Sequence, residues 1–318
     1  MINRRTFLYG LTLGALIAPL AAEAQAGKVW RVEVLANTTL DSSFDGFREG
    51  LRNLGYLEGR NLVIEARYAD AKLDRLPALA AELVGLKVDL ILTIGTPAAR
   101  AAKQVTTTIP IVFTVAADPV EQRLVASFAR PGGNLTGFAL GDYGDKQLEL
   151  LKEAVPRLSH VACLCGGDPV SWSSLSDAAG KLGLRLQLID VRDPTDLDGA
   201  VTVAASGPAG GLLVPNTQWI GNQLQRIGDL TAKRKLAAVG FHRVFVDAGG
   251  LLSYGPTQTE NAPRLAAQMD RIFKDAKPAD LPVEQPTKFE VVINLKTAKA
   301  LGVTIPPVVL SRADEVIR

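Results

Sequence analysis

Two histidines, two cysteines and two methionines in 318 residues leave little from which to build metal centres, disulfide frameworks or nucleophile–base pairs. His160 and His242 are too far apart in sequence to read as a zinc pair, and neither stands beside a candidate nucleophile. Cys163 and Cys165 are two apart on an expected strand, a spacing that strains a bridge, so they read as two small apolar side chains. Phosphate-cradling glycine patterns are missing, since no G-x-G-x-x-G follows a strand and no G-x-x-x-x-G-K-[ST] loop occurs, and the G-x-S-x-G nucleophile elbow is absent too. The sequence therefore points to no enzyme, no cofactor and no metal. Formal net charge is only +2, which argues against nucleic acid or an acidic membrane surface as partner. Beyond the first two dozen residues no apolar run is long enough to cross a membrane.

What is present begins with an address. Arg4-Arg5-Thr6-Phe7-Leu8 opens the chain, an uncharged run covers 7–22, and Ala22-Glu23-Ala24 or Ala24-Gln25-Ala26 offers a small-residue cut. These are the parts of a signal peptide, read as residues 1–24, and the arginine pair favours the twin-arginine route over the ordinary Sec route. Pro19 and the shortness of the apolar stretch disfavour an uncleaved anchor, and no cysteine at the cut offers a lipid site. A periplasmic, exported protein is expected.

Hydrophobic residues at 47% and charged residues at 21% give an ordinary globular balance. Apolar runs at 29–35, 88–94, 111–115, 161–165 and 211–214 read as strands, and helical spacing at 41–54, 98–105, 119–128, 146–155 and 261–274 reads as helices. Regular alternation predicts α/β architecture. Two blocks of about five strands predict two doubly wound, parallel-sheet lobes rather than one.

In such sheets ligands gather at the carboxyl ends of strands. Three strand-to-helix loops share a pattern: Gly95-Thr96-Pro97, Ala117-Asp118-Pro119 and Gly166-Gly167-Asp168-Pro169. Thr96, Asp118 and Asp168 read as helix caps with proline as the first helical residue. A neutral Thr96 cap leaves a helix N-terminus open to a carboxylate, while Asp118 and Asp168 suit an ammonium or hydroxyl. Together they suit a zwitterion. Asn37-Thr38-Thr39 and Pro215-Asn216-Thr217 end two further strands, and Trp172 and Trp219 lie close to such loops in sequence.

Several segments carry a family resemblance: Phe47-Arg48-Glu49-Gly50-Leu51 through Gly55-Tyr56, Gly95-Thr96-Pro97-Ala98, Ala129-Arg130-Pro131-Gly132-Gly133-Asn134, Ala248-Gly249-Gly250-Leu251-Leu252-Ser253-Tyr254-Gly255 and Pro286-Thr287-Lys288-Phe289-Glu290. From about residue 28 onward the chain resembles the solute-binding subunits of ABC transporters of the TrpX type. The resemblance implies a type I periplasmic-binding fold with a three-crossover hinge near 140, 254 and 284. The lobes would then be 28–140 with 255–283, and 141–254 with 284–318. It also implies hinge closure, a membrane permease and ATPase as partners, and relatives associated with aromatic amino acids; a monomer is expected. The resemblance supports Thr96, Asp118 and Asn216 as pocket residues. With Asn37, Thr38, Pro97, Ala98, Gly166, Asp168 and Tyr254 they form the candidate ligand-binding set. The chain departs from the family pattern at Cys165-Gly166-Gly167, where Phe-Asn-Pro is common, at Asn216, where an acid is common, and at Gly240, where an aromatic is common. A roomier second-lobe pocket is expected from these. A sensor that signals to a membrane receptor is the alternative on the same fold, and an exported enzyme a third.

Overall fold

The computed structural model describes residues 28–39, 43–70, 72–115, 118–141, 143–165, 172–191, 193–208 and 210–318. The expected signal segment and the candidates Gly166 and Asp168 lie outside them.

The first lobe holds β1 (Trp30–Ala36), α1 (Ser43–Asn53), β2 (Leu62–Tyr68), α2 (Leu76–Gly85), β3 (Leu90–Ile94), α3 (Thr96–Val105), β4 (Ile111–Val115) and β5 (Leu135–Ala139). The chain then crosses and lays down α4 (Gly144–Ala154), β6 (His160–Cys165), α5 (Trp172–Lys181), β7 (Arg185–Asp190) and α6 (Leu197–Ser206). β8 (Gly211–Leu213), α7 (Gln218–Gly221), α8 (Leu224–Lys233), β9 (Ala237–Gly240), α9 (Arg243–Asp247) and β10 (Leu252–Pro256) follow. A second crossing leads to α10 (Gln258–Phe273). A third leads to β11 (Phe289–Asn294), α11 (Leu295–Ala300), α12 (Pro307–Leu310) and β12 (Glu315–Ile317).

One sheet has the order β2-β1-β3-β4-β5, and the other β12-β11-β10-β9-β8-β6-β7. The second is larger than the block of about five strands expected. Its pairing is parallel except between β10 and β11. That pair corrects the all-parallel expectation for a simple reason: β10 leaves the second lobe through the hinge and β11 returns beside it, so the two run in opposite senses.

Each sheet is covered on both faces. Phe44, Phe47 and Leu51 of α1 share one core with Leu265, Ala266 and Met269 of α10, so the late helix seals a face begun by the first. Their axes come close because Gly50 has no side chain: a methyl group there would lie 2.9 Å from the Ala266 methyl. In the second lobe Cys163 is buried in the core with Leu150, Val161 and Leu213, and both cysteines are free thiols, as two small apolar side chains would be. Burial pushes the Cys165 thiol up to about 11, well above its ordinary range.

The helix expected at 119–128 does not form. Asp118 caps one turn, with Oδ1 accepting from the Val120 and Glu121 N–H groups at 2.7 and 3.1 Å. Arg123 then adopts φ 55°, which ends any right-handed helix. The apolar residues that mimic a helical face, Leu124 and Val125, are core residues of a turn.

At the hinge the first and third crossings pair. The Ala139 N–H donates to the Glu284 carbonyl at 2.8 Å, and the Glu284 N–H donates to the Gly137 carbonyl at 2.9 Å. Gly137 is held at φ 154°, and a side chain there would strike the Phe113 backbone. Each crossing contributes one aromatic ring: Tyr143, Tyr254 and Phe289 meet with centroids 5.9, 5.6 and 5.4 Å apart.

Candidate functional site

Parallel strands bring their carboxyl ends to one edge, so sheet order decides which loops are neighbours. In the first lobe the chain goes from β1 outward to β2 and then back to β3 on the other side. The reversal leaves a crevice between the ends of β1 and β3, flanked by Asn37–Thr38 and by Gly95–Thr96. In the second lobe β6 lies between β7 and β8 in the same way. Its crevice lies between the ends of β6 and β8, marked by Cys165 and by Pro215–Asn216. Asn37, Thr38, Thr96, Pro97 and Ala98 thus fall at the first switch point and Asn216 at the second, whereas Asp118 follows β4 and Tyr254 lies in β10.

At the first of these, Gly95 takes the N-cap position of α3 with φ 91° and ψ 151°, and no side chain caps the helix. This corrects the reading of Thr96 as the cap: only glycine tolerates that backbone, so the turn is made one residue earlier and Thr96 becomes the first helical residue. The Gly95 N–H donates to the Thr114 carbonyl at 2.8 Å, and its carbonyl accepts from Ala99 at 3.1 Å, which fixes the turn against β4. Thr96 and Ala98 are buried and Pro97 is half-buried. An α3 N-terminus without a capping side chain is favourable to an anionic group.

Across the crevice Asn37 is half-buried, and its Oδ1 is buried without a hydrogen-bond partner. A buried acceptor of this kind calls for a donor. Thr38 Oγ1 accepts from Asn222 Nδ2 at 2.9 Å. Asp118 lies at the end of the next strand, β4, but is exposed and engaged with its own turn.

In the second lobe Asn216 is half-buried, and its Nδ2 donates to the Tyr143 hydroxyl at 2.7 Å. Thr217 beside it is buried and caps α7 through Oγ1, which accepts from the Ile220 N–H at 3.3 Å. Tyr254 belongs to the hinge cluster, where its ring is nearly parallel to Phe289, and burial raises its phenol above the usual range. The buried Gln147 amide donates to the Gly240 and Tyr254 carbonyls at 2.9 and 3.0 Å, tying α4 to β9 and β10. The side chains of Trp172 and Trp219 lie outside the described residues.

Gly240 does not make the pocket roomier. A methyl group there would lie 2.6 Å from the Phe245 ring, which is fully buried and also fills the space over Gly250. The volume vacated at position 240 is taken by an aromatic five residues later. Asn222, Tyr143 and Phe289 were missed as site residues, because what marks them is partners far away in sequence. Among the described residues no cluster of three histidine, cysteine, aspartate or glutamate side chains could hold a metal, and no helix is long and apolar enough to cross a membrane.

Against this geometry, the profile of one protein family, described as ABC transporter substrate binding protein, matches residues 29–317. The chain belongs to that family. It is a substrate-binding component of an ABC transporter, of the TrpX type, and its relatives are binding proteins rather than enzymes. A tyrosine-binding protein of Clostridioides difficile is 28% identical over 275 residues, 85% of this chain and 79% of its own length. A solved Streptococcus pneumoniae ABC domain in complex with L-tryptophan is 26% identical with a TM-score of 0.81, covering 91% of this chain and 100% of its own. A conserved domain protein of Vibrio cholerae is 27% identical with a TM-score of 0.82, at the same coverage of 91% and 100%. The two facing α/β lobes are the type I periplasmic-binding fold. Proteins of this kind work outside the cytoplasm with a small-molecule ligand and with permease and ATPase partners.

Proposed function

We propose that this binding protein serves an importer and closes about its three-crossover hinge on an amino-acid-like carboxylate, with an aromatic amino acid as the leading candidate. The observation that carries the reading is the pairing of an α3 N-terminus without a side-chain cap with the unpartnered Asn37 Oδ1 across the same crevice. The first suits a carboxylate and the second suits a donor such as an ammonium. Asn216 offers its amide from the second lobe. The tyrosine- and tryptophan-binding relatives support the aromatic class. In this reading the lobes are 28–140 with 255–283 and 141–254 with 284–318. The protein is a monomer, exported by the twin-arginine route and released in the periplasm by cleavage of residues 1–24.

Isothermal titration of the purified protein with L-tyrosine, L-tryptophan and the matching aromatic acids without an amino group tests the ligand class. Native mass spectrometry of undialysed protein identifies any ligand carried through purification. Saturable binding of an aromatic amino acid, weakened at least tenfold when the amino group is removed, is the expected outcome. Binding only of solutes without a carboxylate would overturn the reading.

A further inference from the structure

Asn222 stands at the C-terminal end of α7, where its backbone N–H donates to the Ile220 carbonyl. Its side chain reaches out of the second lobe. Nδ2 donates to Thr38 Oγ1 at 2.9 Å and to the Thr39 carbonyl at 3.2 Å, both on the loop that follows β1 and carries Asn37. The other end of the same segment is tied too, since Asn216 donates to the Tyr143 hydroxyl of the hinge ring cluster and Thr217 caps the short helix between. Residues 216–222 therefore run as a strap from the hinge to the opposite lobe.

We infer that Asn222 is the latch of the cleft, whose two hydrogen bonds set how long the closed form lasts. The inference rests on the hinge closure proposed above. Rotation about the hinge must part Asn222 from Thr38 and Thr39, because they belong to different lobes. The Asn216–Tyr143 bond lies beside the hinge and survives the rotation. An interaction present in one form and absent in the other shifts the equilibrium between them. Asn222 binds a hydroxyl and a carbonyl of the rim, so it governs dissociation rate and not ligand choice.

Small-angle scattering and stopped-flow dissociation of Asn222→Ala and Thr38→Val, with L-tyrosine and L-tryptophan as probes, test the latch. Asn222 is exposed, so the melting temperature of Asn222→Ala stays at the wild-type value. Dissociation becomes about fivefold faster for both amino acids, the size expected for one or two exposed hydrogen bonds. The scattering particle becomes more extended, and Asn222→Gln recovers part of the change. Unchanged dissociation and scattering overturn the latch, as does a change confined to one amino acid, which would make Asn222 a ligand contact. If wild type binds neither amino acid, the ligand reading fails alone. The ligand-free comparison still decides the latch: a more extended Asn222→Ala particle supports it and identical profiles overturn it.

Discussion

In the first lobe the cleft residues are placed by backbone: a glycine at φ 91° starts α3 directly after β3, and the end of β1 presents Asn37 and Thr38. In the second lobe they are placed by side chains with distant partners. Asn216 leans on Tyr143, Tyr143 on two rings from other crossings, and the space at Gly240 is filled by Phe245. A wall built on backbone keeps its shape when side chains change. A wall built on side-chain relays is where a new ligand preference can be written by few substitutions, and where a change at one residue is passed to the hinge.

The comparison can be broken most sharply at Phe245. Phe245→Ala removes a fully buried ring that packs over Gly240 and Gly250 and should cost about 3–5 kcal/mol, read from denaturant unfolding. The loss should fall on the second lobe while amide exchange protection of β1 and β3 stays native. Equal loss of protection in both lobes would show that they do not stand on separate cores. Gly95→Ala is the matching test in the first lobe. It forces an L residue into a region that only glycine favours, at about 1–3 kcal/mol, and should weaken ligand binding although no side chain is lost. Undiminished affinity there would remove the case for backbone placement. Tyr143→Phe keeps the ring cluster and deletes the hydroxyl that Asn216 reaches, with an expected stability loss of about 1 kcal/mol. Ligand affinity should fall while near-ultraviolet circular dichroism stays native. The smallest effect concerns pH. Tyr56 donates to Asp270 at 2.9 Å, and burial first, then that carboxylate, push its phenol up to about 12 from an ordinary 10.0. The folded chain keeps this proton where the unfolded chain has lost it, so the first lobe loses stability as pH rises between those values. Tyr56→Phe should flatten that alkaline slope in a thermal melt.

Legibility in the sequence divides along the same line. The βα alternation, the strand–Gly95–Thr96–Pro97 turn and the loops at Asn37 and Asn216 are local patterns, and local patterns can be read from one chain. The helix misread at 119–128 shows the limit: Leu124 and Val125 are buried as helix spacing demands, yet Arg123 leaves the helical region between them and the start of the segment. The short α9, α12 and β12 carry too few residues for a period to register. Phe245 reoccupying the space at Gly240, and Asn222 meeting Thr38, are contacts between segments that only the folded chain brings together.

The sealing of α1 by α10 also bears on the order in which the chain can fold. Phe44, Phe47 and Leu51 emerge early in synthesis, but Leu265, Ala266 and Met269, which cover them, emerge near the end. The early strands that share this core cover one side of α1, but the part that α10 covers stays open until α10 is made, so the first lobe, though first in sequence, finishes only after the second is largely made. Closing so long a loop is slow. A holding chaperone would find its binding stretch on α1, and a fragment ending near residue 140 would aggregate rather than stand as a half-protein.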